Sequence, residues 1–253
     1  MNASAGMLAV IPARGGSKGL PGKNIRPFAG LPLIAHSVLL AKACPEIARA
    51  IISTDAEEIA AVAQRHGGEV PFLRPAELAR DDTPLWDVIR HALATVESRE
   101  GLRYDYLVLL DPTTPCRLPE QIAEAYRRLE ANPSADGIVG VSKPDFNPVW
   151  HSVVEREGWM TDLIPNGGNY ARRQDAPTVC RINGTLYIWR AEFVRRSEAG
   201  WRNHGRHLMY EVADFAAISI DTLEEFERAE LFVTSGRFPL PWLGNLHPGS
   251  CVH

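Results

Sequence analysis

The residues best suited to chemistry lie near the N-terminus, in a loop that combines glycines with positive charge. The loop follows a short apolar run, Leu8 to Ile11, which is typical of a buried strand. Its glycines and cations are Gly15, Gly16, Gly19, Gly22, Arg14, Lys18, Lys23 and Arg26. Glycines let backbone N–H groups approach an anion closely, and cations neutralise it. The loop therefore predicts a polyphosphate site at the carboxyl end of the first strand.

The charge pattern around this loop differs from that of the rest of the chain. No acidic residue precedes Glu46, although the formal net charge is -4 at pH 7. The P-loop pattern does not fit, because Ser17 and Asn24 stand where it needs glycine and a hydroxyl residue. The dinucleotide-binding pattern G-x-G-x-x-G is also absent from the loop. The alternative is a flexible, solvated basic loop, but the ordered succession of strand, glycines and cations favours the phosphate site.

Acidic side chains follow three other predicted strands at their carboxyl ends. They are Asp55, Asp111 and Asp221. In an open parallel sheet these strand ends meet at one edge, where ligands bind. Cations and carboxylates in one crevice are typical of a nucleoside triphosphate site with Mg²⁺. For Asp55 the pattern leaves a second role open, as the cap of the following helix.

Predicted strands and helices alternate along most of the chain. Strands are predicted over residues 8–11, 49–53, 70–73, 106–110, 137–142, 185–189 and 215–220, and helices over residues 33–43, 55–65, 84–97, 119–130 and 223–232. Thr83 is predicted to cap the helix that begins at Pro84, and Thr222 and Glu225 form a capping box. The alternation predicts an α/β fold with a Rossmann-like, mostly parallel twisted sheet and helices on both faces.

The pattern changes over residues 143–180, which we interpret as an insertion in a single domain spanning residues 1–235. Residues 149–154 and 159–163 are predicted to pair as a hairpin within it. Arg172 and Arg173 belong to a second basic loop, which suits either a carboxylate substrate or a solvated turn. The tail, residues 236–253, contains prolines without periodicity, and we expect an irregular coil docked by Trp242.

The composition is that of a soluble globular protein and argues against several classes. Of 253 residues, 45% are hydrophobic and 23% are charged, which suffices for a sizeable core. The acidic balance argues against nucleic-acid binding, and no apolar run reaches the length of a membrane span. The N-terminal segment shows no secretion signal, so we expect a cytoplasmic protein. Reduced thiols, rather than disulfides or zinc ligands, are predicted for Cys44, Cys116, Cys180 and Cys251.

Several motifs resemble those of the sugar-acid cytidylyltransferases, above all the acylneuraminate (CMP-sialic acid synthetase) branch. IPARGGSKGLPGKN resembles the nucleotide-binding signature of that family, and RPAELA, RRQD and RINGTLYI are similar to further family segments. Together these motifs run from about residue 8 to residue 232. The resemblance implies a sheet of the nucleotide-diphospho-sugar transferase type and a homodimer formed through the insertion, which could lend Arg172 or Arg173 to the neighbouring subunit's site.

The resemblance also implies a reaction. CTP would be joined to the anomeric hydroxyl of a 2-keto-3-deoxy sugar acid of the sialic or nonulosonic type, giving a CMP-sugar and pyrophosphate. Catalysis would rest on positioning and electrostatics, without a covalent intermediate, through Arg14, Lys18, Lys23 and Asp221. The implied nucleotide-binding residues are Arg14, Gly15, Ser17, Lys18, Lys23, Asn24, Arg74, Asp82 and Thr83. The implied sugar-acid residues are Asp111, Arg172, Arg173, Gln174, Arg181 and Asn183. Asp221 would hold Mg²⁺.

Two positions depart from the pattern of the acylneuraminate branch. That branch usually ends its last strand in Asp-x-Asp-Thr, where this chain has Ser219 in place of the first aspartate. It also usually carries Gln-Pro-Thr-Ser-Pro, where this chain begins with Asp111. We hypothesise that the changes are linked and that Asp111 restores a carboxylate to the metal site. Alternatively, Asp111 serves a different sugar or caps the next turn, and Ser219 acts through water.

Three other functions stay open at this point. One is a CMP-synthetase for a different, Kdo-like sugar acid, which would differ in the sugar pocket but not in triphosphate chemistry. Another is a catalytically weak, nucleotide-binding relative, which only Ser219 supports. The third is a glycosyltransferase that uses a finished nucleotide-sugar. It would need an acidic metal-binding pair in mid-chain rather than a cationic loop after the first strand.

Overall fold

The computed structural model of the protein describes residues 5–244, along which strands and helices alternate. The strands are β1 (Met7–Pro12), β2 (Pro27–Phe28), β3 (Leu31–Pro32), β4 (Ile47–Ser53), β5 (Tyr106–Leu109), β6 (Gly137–Ser142), β7 (Val153–Arg156), β8 (Trp159–Asp162), β9 (Arg181–Arg190) and β10 (His207–Glu211). The helices are α1 (Leu33–Ala43), α2 (Glu57–Arg65), α3 (Leu85–Glu100), α4 (Pro119–Glu130), α5 (Pro148–His151), α6 (Ala191–Arg196) and α7 (Leu223–Thr234).

The central sheet has the strand order β10-β6-β9-β5-β1-β4. β1 is parallel to β4 and β5, and β10 is parallel to β6. β9 is antiparallel to both of its neighbours, β5 and β6. All strands of this sheet except β9 therefore point the same way, and the predicted fold class is confirmed.

The side chains of β1 show how the sheet carries helices on both faces. The strand is buried throughout, and successive residues point to opposite sides. Met7, Ala9 and Ile11 pack in one core with α1, α2, α4 and α7, whereas Leu8 and Val10 pack in another with α3 and α6. A strand covered on both faces must be apolar at every position, which is why it is recognisable in the sequence.

The carboxyl ends of the parallel strands lie at one edge of the sheet. Pro12 at the end of β1 pairs with Ser53 at the end of β4, and Leu109 at the end of β5 lies two residues back along β1. The glycine-rich loop, Asp55 and Asp111 all follow directly from this edge. The fold thus brings the predicted cations and carboxylates to the same side of the molecule.

The predicted helix starts are partly correct. α7 begins with the predicted capping box, in which Thr222 Oγ1 accepts a hydrogen bond from Glu225 N (3.3 Å) and the Glu225 carboxylate accepts one from Thr222 N (2.9 Å). The prediction that Thr83 caps α3 is wrong. Pro84 is the N-cap residue, because the Thr83 hydroxyl instead donates to the Glu77 carbonyl (3.2 Å).

Residues 70–73 do not form the predicted strand. Only isolated parallel bridges, at Glu69 and Leu73, connect this segment to β4 and the residue that follows it. Pro71 has no N–H to donate, so a continuous ladder cannot form across the segment.

The predicted strand over residues 215–220 is also absent. Its beginning belongs to a 3₁₀ turn, Asp214–Ala216, and Ile220 makes a single backbone hydrogen bond, from its N–H to the Thr113 carbonyl (2.8 Å). The last strand of the sheet is β10 instead. It is an edge strand of mixed polar and apolar residues, mostly part-buried or exposed, so its pattern in the sequence is weak.

The segment over residues 143–180 contains the predicted hairpin in a shortened form. Residues 148–151 form the helical turn α5, and β7 pairs with β8 only from Val153 onward. Within the described chain these two strands pair with each other alone. Trp159 and Met160 are 76% and 78% exposed on the hairpin. The division into one domain and an insertion stays a prediction.

The start of the tail docks on the core as predicted for Trp242. The Trp242 indole N–H donates to His36 Nδ1 (3.0 Å), and His36 Nε2 donates to the Phe28 carbonyl (2.9 Å). Burial lowers the pKa of His36, which keeps the ring neutral and able to accept this bond. Residues 245–253 of the predicted tail lie outside the described residues.

Every helix within residues 5–244 is too short or too polar to span a membrane.

Candidate active site

A cleft of about 330 Å³ opens at the carboxyl edge of the sheet, between the loops after β1 and β5 and the segment before α7. Charged side chains of both signs line it. They are Arg14, Lys18, Lys23, Arg74, Arg80, Asp81, Asp111 and Asp221. The predicted residues Ser17, Asn24 and Thr83 line it as well. Nine of the predicted site residues therefore share one cleft.

A larger groove of about 850 Å³ lies between α3 and α6 but does not have the character of a polyphosphate site. Its buried carboxylate, Glu97, is already paired with Arg103 (3.1 Å) and Arg195 (2.7 Å). The Glu97–Arg195 pair joins α3 to α6, and the Glu97–Arg103 pair joins α3 to the residues that follow it. Both pairs have a structural role.

Side chains fix the shape of the glycine-rich loop from both ends. The Asp55 carboxylate accepts a hydrogen bond from Gly15 N (3.0 Å). Asp55 therefore anchors the loop, while Ala56 is the N-cap residue of α2. At the other end, Asn24 Nδ2 donates to the Arg14 carbonyl (3.1 Å). Gly15 and Asn24 thus act through the loop's conformation, and Asn24 also lines the cleft.

Lys23 joins this loop to the segment before α7. Its side chain is 9% exposed, and Nζ donates to the Ile220 carbonyl (2.7 Å) and to Asp221 Oδ1 (3.0 Å). Gly19 lies so close to the same segment that a Cβ there would overlap the Asp221 carbonyl oxygen. An ammonium group has three N–H donors, so one remains for a ligand in the cleft.

Arg14 and Lys18 both form ion pairs with the carboxylate of Asp81. Hydrogen bonds from Lys18 and Arg14 lower the pKa of Asp81, which is therefore ionised. An oxyanion held between two cations has the chemistry of a phosphate oxygen. The predicted residue, Asp82, is exposed and does not line the cleft, and its role at the nucleotide stays a prediction.

Arg74 lies at the back of the cleft and is 6% exposed. Its Nε donates to Ser53 Oγ (3.2 Å), and its Nη2 donates to the Ser53 carbonyl. Burial lowers the pKa of Arg74, although arginine stays charged at neutral pH. The end of β4 therefore holds a guanidinium group in a fixed orientation toward the cleft.

Asp111 and Asp221 bring two carboxylates to the cleft from different strand ends. Asp111 Oδ1 accepts a hydrogen bond from Thr113 N (3.0 Å), and the Thr113 carbonyl accepts one from Ile220 N (2.8 Å). No group of three His, Cys, Asp or Glu side chains within residues 5–244 is arranged to hold a metal ion. Two carboxylates fit Mg²⁺, which takes one or two carboxylates together with phosphate oxygens and water.

Ser219, which replaces an expected aspartate, is exposed and does not line the cleft. The segment turns so that Ile220 is buried and Asp221 faces the cleft.

The residues predicted at the sugar acid are not brought together in this cleft, apart from Asp111. Arg181 pairs with Asp214 (2.8 Å) along a separate groove. Arg172 pairs with Asp175 (2.9 Å) inside the insertion, where Gln174 is exposed. The side chain of Arg173 lies outside the described residues.

Asn183 does not line the cleft, but it lies next to the turn that does. It is 5% exposed, and its Oδ1 accepts hydrogen bonds from the Thr185 hydroxyl (2.7 Å) and backbone (3.1 Å). Its Nδ2 has no hydrogen-bond partner among the described residues. The adjoining Gly184 carbonyl accepts from Thr114 Oγ1 (3.3 Å), so Asn183 lies beside the turn that carries Asp111.

Three residues that lie in or near the cleft were not predicted from the sequence. Asp81 and Arg80 line it, and both belong to the RPAELA segment and its extension, so their neighbourhood was recognisable but their roles were not. Arg117 lies beneath the cleft and is 2% exposed. An arginine after a proline-rich turn normally indicates a solvated residue, and nothing in the pattern predicts its burial.

Replacing Gly19 by alanine should weaken nucleotide binding selectively. The added Cβ would overlap the Asp221 carbonyl oxygen, so the loop must move, and we expect the Kd for CTP to rise about tenfold. Gly16→Ala is the matched control, since a Cβ there meets nothing within 4 Å. Calorimetric titration measures both values, and an equal effect of the two variants would contradict the close approach.

Comparison with known proteins identifies the family. The cytidylyltransferase family model matches residues 8–238. The post-translational flagellin modification protein B of Campylobacter coli is 32% identical over 228 residues, which cover 90% of this chain and 94% of that protein. CMP-N,N'-diacetyllegionaminic acid synthase of Legionella pneumophila is 33% identical over 221 residues, which cover 85% and 91%. A solved CMP:2-keto-3-deoxy-manno-octonic acid synthetase complexed with CTP shares the fold, with a TM-score of 0.70, 18% identity, and coverage of 91% and 99%. The chain belongs to the cytidylyltransferase family, as its motifs predict.

Proposed function

We propose that this cytidylyltransferase joins CTP to the anomeric hydroxyl of a 2-keto-3-deoxy sugar acid, giving a CMP-sugar and pyrophosphate. The observation that carries the proposal is one cleft lined by the cations Arg14, Lys18 and Lys23 and the carboxylates Asp111 and Asp221. This combination suits a triphosphate that is neutralised by cations and cleaved without a covalent intermediate.

The cations divide into fixed and movable groups. Lys23 is buried and bonded to the Asp221 segment, so it provides a positive charge at a set position for the leaving pyrophosphate. Lys18 is 79% exposed and can follow the phosphates as the bond to the α-phosphate breaks. Arg14 and Lys18 would exchange the carboxylate of Asp81 for phosphate oxygens when CTP binds.

We propose Mg²⁺ as the cofactor, held by Asp221 with Asp111 as the second carboxylate. The ion would supply charge neutralisation at the α-phosphate. Asp111 stands where the acylneuraminate branch usually has glutamine, and Ser219 does not line the cleft. These two features support the hypothesis that the second carboxylate comes from the end of β5.

We infer that the sugar acid is of the nonulosonic type. The Legionella relative is named for the legionaminic acid derivative that it activates, and it matches most of this chain. Asp111 and the adjacent Asn183 region would face the sugar. A carboxylate there can accept hydrogen bonds from hydroxyl or amino substituents but would repel a second acidic group.

The cysteines of the described residues, Cys44, Cys116 and Cys180, are free thiols. They support a reducing, cytoplasmic setting.

We also propose a homodimer formed through residues 143–180. The hairpin of this segment exposes most of Trp159 and Met160, and Phe146 of the same segment is 72% exposed. Several exposed large apolar side chains in one segment favour an interaction surface there. Because Arg172 and Gln174 do not line their own cleft, contribution of this loop to the neighbouring subunit's site would complete the carboxylate-binding group.

Pyrophosphate release tests the reaction. The enzyme is incubated with Mg²⁺, CTP and a panel of sugar acids that includes legionaminic, pseudaminic, sialic and Kdo-type acids, with ATP, GTP and UTP as controls. We expect release with CTP and a nonulosonic acid only. If CTP binds but no sugar acid in the panel leads to pyrophosphate release, the result would instead support a catalytically weak relative.

Replacing Asp111 by asparagine should change the metal requirement. Loss of one oxygen ligand is expected to raise the Mg²⁺ concentration for half-maximal rate by about tenfold at saturating CTP. Asp81→Asn is the control, because Asp81 also lines the cleft but pairs with cations. An Mg²⁺ requirement of Asp111→Asn that equals the wild type would contradict the metal role.

Replacing Trp159 by glutamate should convert the dimer to a monomer. Burying a carboxylate in an apolar interface is strongly unfavourable, and gel filtration with light scattering measures the mass. Leu231→Glu is the control, since Leu231 is 68% exposed on α7, outside the insertion. A wild-type protein that is monomeric at working concentration would refute the proposed dimer.

A further inference from the structure

Arg117 is buried beneath the cleft and does not line it. Its Nη2 donates to Ser37 Oγ in α1 (2.9 Å) and to the Asp111 carbonyl (2.8 Å). Its Nε and Nη1 have no hydrogen-bond partner among the described residues. The guanidinium group therefore connects a core helix to the turn after β5 while leaving part of its own donor capacity unused.

The buried charge is unfavourable for the fold by itself. Burial lowers the pKa of Arg117 to about 10, and the nearby Asp111 opposes this shift, so the group is charged at neutral pH. Within residues 5–244 no carboxylate forms an ion pair with it. A buried cation without a paired carboxylate costs desolvation free energy. Stability alone therefore does not explain an arginine at this position.

Several hydrogen bonds converge on Asp111, and one of them comes from Arg117. The Asp111 carbonyl accepts three hydrogen bonds: from Arg117 Nη2, from Thr114 N (3.3 Å) and from Thr114 Oγ1 (3.2 Å). Its carboxylate accepts a fourth, from Thr113 N (3.0 Å). Hydrogen bonds within the protein therefore hold both the backbone and the side chain of Asp111.

The same turn supports the segment that carries Asp221. The Thr113 carbonyl accepts the hydrogen bond from Ile220 N (2.8 Å), and the Ile220 carbonyl accepts that of Lys23 Nζ (2.7 Å). A continuous series of contacts thus runs from Arg117 through the turn to the segment before α7 and the glycine-rich loop.

We propose that Arg117 is a positioning residue that sets the place of the Asp111 carboxylate relative to Asp221 in the cleft. It acts through the Asp111 carbonyl and the Thr113–Ile220 hydrogen bond and does not touch the substrates. The functional consequence rests on the proposed nucleotidyl transfer, whereas the structural consequence, a fixed turn, does not. Lysine does not replace it, because both hydrogen bonds come from Nη2, which lies one covalent bond farther along the side chain than a lysine Nζ.

A purely structural arginine is the competing explanation, and Arg190 provides the matched control. Its guanidinium also binds backbone carbonyls, those of Ala135 (2.9 Å) and Leu129 (3.0 Å), together with the Tyr106 hydroxyl (3.0 Å). It does not line the cleft. Arg190→Lys therefore removes a comparable set of arginine hydrogen bonds at a place that does not line the cleft.

The test compares Arg117→Lys, Ser37→Ala and Arg190→Lys. Hydrogen exchange reports the amides of Thr113 and Ile220, calorimetry gives the Kd for CTP, and steady-state kinetics separate kcat from KM. We expect Arg117→Lys to speed exchange at both amides and to lower kcat about 10- to 100-fold, while the Kd for CTP changes less than about threefold, because Arg14 and Lys18 are untouched. Ser37→Ala should act in the same direction more weakly.

Arg190→Lys is expected to lower the melting temperature and to leave kcat and the exchange of these amides unchanged. Unchanged exchange and kcat in Arg117→Lys would overturn the proposal. So would losses of kcat that follow the melting temperature equally in both arginine variants. If the wild-type enzyme releases no pyrophosphate, the proposed function fails, but the exchange of Thr113 and Ile220 still decides whether Arg117 fixes the turn.

Discussion

The site depends on the hydrogen bonds of the buried Lys23 ammonium group to the segment before α7. Removing a charge from water costs free energy, and hydrogen bonds that replace the hydration reduce this cost. The acceptors that do so for Lys23 are the Ile220 carbonyl and the Asp221 carboxylate. The segment that carries these acceptors is not part of the sheet. Its backbone is held beside β5 through Thr113. Lys23 therefore both neutralises the cleft and places one of its carboxylates.

On the proposed function, nucleotide binding would be an exchange of anions. The Asp81 carboxylate balances Arg14 and Lys18, which reduces the repulsion between these two cations. A triphosphate carries more charge than one carboxylate and can replace it at these cations. Because Lys18 is exposed and Arg14 and Asp81 are part-exposed, solvent screens their mutual attraction and lowers the cost of separating them. Lys23 would stay in place during this exchange.

The sequence predicted the parts of the fold in which local pattern and tertiary environment agree. β1 is apolar because both faces are covered, and α7 begins with a capping box formed by side chains close in sequence. The prediction failed where a segment owes its structure to distant contacts. Residues 215–220 read as a strand from their apolar content, yet they pack against the core outside the sheet. The reversed direction of β9 is likewise set by strand pairing, which periodicity does not encode.

The candidate site shows the same division at the level of single side chains. Residue types and their order were sufficient to predict a cationic loop and the two carboxylates that join it, because the ends of parallel strands must meet. They were insufficient to predict that Asp81 rather than Asp82 lines the cleft, since a shift of one residue depends on how an irregular loop turns. They were also insufficient to place Arg117, whose sequence neighbours suggest an exposed turn. In the fold it contacts Ser37 of α1 within the core, and that contact exists only once helix and turn have packed together.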